Sequence, residues 1–309
     1  PTVLNNALSD HIQNETRVKY PYVRKSFLAD PSNPKPELRG KEEFVRVSWD
    51  EAMKLIVKKL QSVKTDEIYN ASYGGWGHPG LLHNCNSVAG RFFNTVFGGA
   101  VGTDGEYSNG AAGRVNATIV GDLEVYSPQT AHEVMLENTK VYVMWGADLF
   151  KCNQIDYKIA NRGNNPYFEK YAKSGIKFIT IDPQYTEIAK KFNAEWIKIR
   201  PNTDVALMLG MCHYLYTSNQ YDKEFIEKYT FGFDKFLPYL LGKSEDMVEK
   251  TPAWAAKITG IEESVIKSLV DTFVKNRTFL AGNWAMQRAH HGEQADWMLM
   301  VLASMIGQV

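Results

Sequence analysis

The hydroxyl of Ser108 sits in the glycine-rich segment Gly102-Thr-Asp-Gly-Glu-Tyr-Ser-Asn-Gly-Ala-Ala-Gly-Arg-Val115. Glycine admits positive φ and lets another group come close. A hydroxyl at the tip of such a turn can act as a nucleophile, a metal ligand or a helix N-cap, and the small residues after it suit the start of a helix. A second glycine-rich turn, Gly74-Gly75-Trp76-Gly77-His78-Pro79-Gly80, follows Glu67-Ile-Tyr-Asn-Ala-Ser-Tyr73, which reads as a short strand. A strand that runs into such a turn is where an α/β sheet places a ligand.

Four more polar clusters fall where strands are predicted to end. They are Trp145-Gly-Ala-Asp148 with Lys151, Asp182-Pro-Gln184, Arg200-Pro-Asn-Thr-Asp204, and Asn283-Trp-Ala-Met-Gln-Arg288. Asp182 and Asp204 can each accept two hydrogen bonds, as the N1–H and N2–H₂ of a guanine supply, while Lys151 and Arg288 can neutralise phosphate. The helices that follow present free N–H groups to a diphosphate. No GxGxxG follows the first of these strands, which argues against an ordinary NAD or FAD site, and no GxxxxGK[ST] is present. Ser108 lacks the GxSxG context of a nucleophile elbow. His290 and His291 are adjacent, so on a helix they diverge by about 100° and do not chelate one metal together.

The elements that must hold these residues can be read from periodicity. Residues 1–47, with five prolines and many charges, predict an extended, irregular surface segment. Ser48 and Glu51 form the pattern of a capping box, and Ala52, Leu55, Ile56 and Leu60 follow helical spacing. Asn84 to Phe97 predicts another helix. From about residue 136, strands alternate with helices. The predicted strands are 141–145, 176–182, 195–199 and 278–282; the helices are 157–172, 205–216 with Asp204 as its cap, much of 222–275, and 293–306. Strands separated by helices imply parallel βαβ units. The expected fold class is therefore α/β. Residues 1–135 form a mixed, irregular portion around the Ser108 loop, and residues 136–309 form a Rossmann-like, doubly wound parallel-sheet domain.

Composition excludes several classes. The 309 residues carry 35 basic and 35 acidic side chains, so no basic excess draws nucleic acid or an anionic membrane. Cys85, Cys152 and Cys212 are 67 and 60 residues apart, too far for a local zinc or iron–sulfur motif or a disulfide framework, and each reads as a small buried apolar residue. No run of 18 apolar residues spans a membrane, and no signal peptide is evident. The apolar ending Leu302-Ala-Ser-Met-Ile-Gly-Gln-Val309 reads as an interrupted chain.

Taken together, Phe44-Val-Arg-Val-Ser-Trp-Asp-Glu-Ala52, Gly105-Glu-Tyr-Ser-Asn-Gly-Ala-Ala112, Thr180-Ile-Asp-Pro-Gln184, Thr203-Asp-Val-Ala-Leu-Met-Leu-Gly210 and Trp284-Ala-Met-Gln-Arg-Ala-His-His-Gly-Glu-Gln294 resemble the dimethyl sulfoxide reductase family of molybdenum enzymes. The resemblance spans nearly the whole chain. It is closest to the branch of S-oxide and N-oxide reductases without iron–sulfur clusters. That resemblance implies molybdenum held by two molybdopterin guanine dinucleotides, with Ser108 as a metal ligand and Tyr73 and Trp76 beside the metal. Lys151, Asp182, Gln184, Asp204, Trp284, Met286, Gln287 and Arg288 then fall among the dinucleotide contacts, as do Trp76 and also Cys152 and Asn153, which stand where the family has small hydroxyl residues. It further implies two-electron reduction of an S-oxide or N-oxide whose oxygen passes to the metal, a c-type cytochrome as electron donor, a periplasmic location, and a C-terminal domain beyond this chain. The alternatives are a reductase of another oxyanion in the same family, against which Ser108 counts for nitrate, and an α/β binding protein without metal.

Overall fold

The computed structural model describes residues 10–71, 82, 84–102, 108–121, 130–152 and 163–308. The chain divides into two compact units: residues 1–71 with 89–102, and residues 72–88 with 103–309.

In the first unit, β1 (Tyr22–Arg24) leads into helix α1 (Lys25–Ala29) and pairs antiparallel with β2 (Phe44–Arg46). The early segment is therefore not irregular throughout, as the prolines suggested. Arg24 explains why. Its guanidinium donates to Glu42 at 2.7 Å and to the Pro34 carbonyl at 2.6 Å, and Glu42 accepts the Ser26 N–H at 2.7 Å. These bonds close the proline-rich excursion into a loop between the two strands. Helix α2 (Trp49–Gln61) opens with the expected capping box: Ser48 Oγ accepts the Glu51 N–H at 3.2 Å, and Glu51 Oε2 accepts the Ser48 N–H at 2.8 Å.

The strand predicted at 67–73 does not form where it is described. Thr65–Glu67 is a single 3₁₀ turn, fixed by the Lys64 N–H donating to Glu67 Oε2 at 2.8 Å. That local bond outcompetes the β preference of the next residues, and only Tyr69 pairs, as an isolated bridge to Val101. Most of helix α3 (Cys85–Phe97) belongs to this unit, and Gly98 and Gly99, both at positive φ, end it.

The second unit contains helices α4 (Gly110–Val120) and α5 (His132–Asn138), then β3 (Val141–Trp145), α6 (Leu149–Cys152) and α7 (Asn165–Lys173). After these come β4 (Lys177–Ile181), α8 (Glu187–Lys191), β5 (Glu195–Ile197) and α9 (Asp204–Thr217). A helical stretch follows with α10 (Lys223–Tyr229), α11 (Phe233–Leu240), α12 (Pro252–Thr259) and α13 (Glu263–Lys275), then β6 (Thr278–Gly282) and α14 (Glu293–Met305). The expected helix over 157–172 is described only from its later part, as α7.

The four strands β3 to β6 form one parallel sheet in the order β5-β4-β3-β6. Side chains alternate across a strand, so each face of β3 feeds a different core. Val141, Val143 and Trp145 pack with α9, α12, α13 and α14 residues, including Leu207, Met211, Ala255, Phe273 and Leu302. Tyr142 and Met144 pack on the other face with Phe168, Tyr171, Ile188 and Phe192. Burial on both faces explains the uninterrupted apolar run of β3. Helix α9 is almost wholly buried, and Gly210 lets it approach α12: a Cβ there would lie 2.5 Å from that of Ala255. Cys212 is buried within α9 as expected, but Cys85 and Cys152, each at a helix end, are exposed.

The chain leaves β3 toward β4 and β5 on one side, then returns to place β6 on the other. The carboxyl ends of β3 and β6 thus flank the point where strand order reverses, which is where open α/β sheets bind ligands.

Candidate functional site at the carboxyl ends of the sheet

At the end of β3 the chain turns sharply at Gly146, φ +59°, whose N–H donates to the Ile181 carbonyl at 2.9 Å. The turn delivers Asp148, which is 8% exposed. One carboxylate oxygen accepts the Phe150 N–H at 3.1 Å. The other is buried without a hydrogen bond, and Lys151 Nζ lies 3.3 Å from it in an ion pair. Cys152 donates its thiol to the Asp148 carbonyl at 2.9 Å. Packing around the sulfur, and then the Asp148 carboxylate, push that thiol up to about 11, although the residue as a whole is exposed. Cys152 is therefore a neutral thiol near pH 7.

Asp182 leaves β4 half-buried. One carboxylate oxygen accepts the Gln184 N–H at 2.8 Å, and its carbonyl accepts the Trp196 indole N–H at 2.8 Å. Burial, and secondarily the charge on Asp148, raise its carboxyl above the ordinary range. Asp204 is the first residue of α9, not its N-cap, which is Thr203. The change of position has a cause: its Oδ1 accepts the indole N–H of the fully buried Trp145 at 2.8 Å. A buried indole donor needs an acceptor, and this carboxylate supplies it in the helix's first turn, where negative charge is favoured. Burial still raises the Asp204 carboxyl, with a further push from Asp182. The three carboxylates thus share one electrostatic neighbourhood, which favours a ligand that brings N–H donors or positive charge. A cavity of about 250 Å³ opens beside Asp204, lined by Asn202, Met286, His290 and Gln294 among others.

Ser108 is set by the loop after β6. It is not a helix cap: α4 begins at Gly110, and the N-cap residue is Asn109, which makes no capping side-chain bond. Instead, Arg288 Nη2 reaches Ser108 Oγ at 3.2 Å and Arg288 Nε donates to the Ser108 carbonyl at 2.9 Å. Gln287 donates to the same carbonyl at 2.6 Å and to the Trp284 carbonyl at 3.1 Å. Its Oε1 accepts the N–H of Ala112, the third residue of α4, at 3.2 Å. Trp284 is half-buried and Met286 is buried, its Sδ-bearing chain packed 3.4 Å from where a Gly146 Cβ would stand.

The fold therefore joins Ser108 with Gln287 and Arg288, and separately gathers Lys151, Cys152, Asp182, Gln184 and Asp204 along the sheet edge. Tyr73, Trp76 and Asn153 lie outside the described residues. Sequence reasoning missed Gly292. A Cβ on it would stand 1.8 Å from the Gln287 carbonyl oxygen, so this glycine permits the turn that presents Gln287 and Arg288. Its signal was the glycine between His291 and Glu293, directly before a predicted helix.

Comparison with known proteins gives a consistent picture. Residues 17–309 match the family model described as molybdopterin oxidoreductase. The chain is 46% identical over its full length to dimethyl sulfoxide/trimethylamine N-oxide reductase of Rhodobacter capsulatus, of which it covers 38%. It is 43% identical to trimethylamine-N-oxide reductase of Haemophilus influenzae, again over its full length and 38% of the relative. Trimethylamine-N-oxide reductase 1 of Escherichia coli K12 is 38% identical, with 37% of that protein covered. The chain thus spans under two-fifths of these relatives. Among solved structures, acetylene hydratase from Pelobacter acetylenicus superposes with a TM-score of 0.60 at 20% identity, over 98% of this chain and 37% of that one, which is a likeness of fold.

Proposed function

The chain belongs to the molybdopterin oxidoreductase family, and on that footing we propose that it forms the metal-ligand and dinucleotide-binding part of a reductase of S-oxides or N-oxides. The observation that carries the proposal is the Ser108 hydroxyl. It lies in a glycine-rich segment of the sequence, outside the capping position of α4, with the Arg288 guanidinium 3.2 Å from Oγ. A guanidinium stays charged at any ordinary pH and favours an oxyanion beside it. A serine held this way suits a hard oxygen donor to a metal.

The described residues fit the proposed cofactor, a molybdenum bis(molybdopterin guanine dinucleotide). Asp182 and Asp204 offer carboxylates whose raised pKa reflects burial with too little compensation, and guanine N–H donors would provide it. Asp148 Oδ2 is a buried acceptor without a hydrogen bond in the same neighbourhood. Lys151 and Arg288 would supply positive charge for diphosphate, Met286 lines the cavity beside Asp204, and Gln184 and Trp284 are assigned as further contacts. When bound, the group would supply the two-electron redox chemistry that no side chain can perform. The protein's part is to bind and orient it: Ser108 ligates, Arg288 stabilises the Ser108 oxygen as an anion, and the two aspartates select guanine. Tyr73 and Trp76 would offer O–H and N–H donors to the oxygen of the substrate.

The reading extends to the whole protein. Electrons would come from a c-type cytochrome in the periplasm, no iron–sulfur cluster would be held by this chain, and a C-terminal domain would complete the cleft. No helix among the described residues is long and apolar enough to cross a membrane. The direct test is metal and nucleotide analysis of the full-length protein, together with oxide-dependent oxidation of a reduced dye. Molybdenum, released guanine nucleotide and turnover of trimethylamine N-oxide or dimethyl sulfoxide are expected. Protein without molybdenum, when produced by cells that make the cofactor, would overturn the reading.

A further inference from the structure

We propose that Gln287 is a positioning residue that sets the Ser108 oxygen by clamping both ends of its turn. The inference rests on the functional reading above. Gln287 is 3% exposed. Both of its N–H donors are occupied, by the Ser108 carbonyl at 2.6 Å and the Trp284 carbonyl at 3.1 Å. Its Oε1 accepts the Ala112 N–H at 3.2 Å. One planar amide therefore grips the chain just before α4 and again in the helix's first turn.

The grip matters because helix α4 opens with a weak first turn. Helix α4 opens with Gly110, carries Gly113 at its fourth position, and has no side-chain cap from Asn109. Glycine weakens a helix, and the first-turn N–H groups have no partner inside it. Gln287 answers one of those groups from a position 175 residues away. Trp284, whose carbonyl takes the second N–H, belongs to the same loop, so the amide plane is itself fixed. The same loop turns back tightly at Gly292, where a Cβ would stand 1.8 Å from the Gln287 carbonyl oxygen. All three bonds run to protein backbone, and two of them end on the segment that carries Ser108.

Two variants of the full-length, metal-loaded protein separate the possibilities. Gln287→Glu keeps the acceptor for Ala112 but loses both donors. Gln287→Met keeps the length and loses all three bonds. The readouts are molybdenum content, the Mo(V) electron paramagnetic resonance signature, kcat and KM for the oxide, and hydrogen exchange of the Ala112 amide. With metal content near that of the parent, both variants should show an altered or split Mo(V) signature. kcat should fall about 100-fold, the order expected for a misplaced reactive group, with KM changed little. Ala112 exchange should quicken in Gln287→Met and not in Gln287→Glu. An unchanged signature and kcat in both variants would overturn the inference, even if Ala112 exchange quickens, because the amide would then serve only the helix. Loss of metal from both variants while the parent stays loaded would also overturn it, by assigning Gln287 to cofactor retention. A parent protein without molybdenum would instead refute the functional reading, and the two failures are therefore distinct.

Discussion

Trp145 donates its indole N–H to Asp204 Oδ1 at 2.8 Å, tying the last residue of β3 to the first residue of α9. The bond gives Asp204 two separable duties, a structural one toward the buried indole and a proposed one toward guanine. Asp204→Asn retains an acceptor for the indole, so melting temperature should stay close to that of the parent, while the guanine nucleotide released on denaturation falls. Asp204→Leu strands the indole N–H and should cost about 1–3 kcal/mol as well. Full nucleotide content in Asp204→Asn would limit the carboxylate to its role under Trp145.

Ser108→Ala should abolish oxide reduction while the protein stays folded. The hydroxyl is not the cap of α4, so its loss should cost less than the roughly 1 kcal/mol typical of a removed N-cap. Turnover is followed with a reduced dye and folding by thermal denaturation. Near-parental turnover in Ser108→Ala would reject Ser108 as a ligand.

Gly292→Ala should damage both stability and activity, because the new Cβ would stand 1.8 Å from the Gln287 carbonyl oxygen and the turn must move. Overpacking of this kind costs about 1–3 kcal/mol. Since the displaced residue holds the Ser108 turn, kcat should fall along with the melting temperature. A variant of unchanged stability and activity would show that the turn relaxes without moving Gln287.

Asp296, in the first turn of α14, has a buried Oδ2 without a hydrogen bond, and burial pushes its carboxyl from 3.8 up to about 6. A raised folded-state value means that the folded protein holds the proton more tightly than the unfolded chain. The Asp296 contribution to stability is therefore full below about pH 4, declines as pH rises toward about 6, and then levels. Asp296→Asn, which cannot ionise, should match the parent near pH 4 and exceed it at pH 8. One pKa unit corresponds to about 1.4 kcal/mol, and the side chain is partly exposed, so a gain of roughly 1–2 kcal/mol is expected. Unfolding curves at the two pH values provide the measurement. A stability difference that does not vary with pH would contradict the assignment.

What the sequence determined by itself is what local pattern can encode. The run Val141-Tyr-Val-Met-Trp145 is apolar on both faces, and β3 has those bounds; Thr278–Gly282 likewise matches β6 residue for residue. Ser48 and Glu51 named their own capping box, because the two partners are three residues apart. The alternation of strands and helices implied the parallel sheet, and its strand ends pointed to Asp182, Asp204 and Arg288. Tertiary structure decided the rest. Periodicity does not contain the order β5-β4-β3-β6, which arises when helices cover both faces of β3. The run at 67–73 had the composition of a strand, yet a Lys64–Glu67 bond set a 3₁₀ turn at its start. Asp204 has the residue type of a cap, yet its carboxylate accepts the indole N–H of Trp145, 59 residues earlier, and Thr203 is the N-cap. The amide of Gln287 reaches Ser108 across 179 residues. Such bonds depend on where two distant segments of chain meet, and that is fixed by burial of the whole core rather than by any window of sequence.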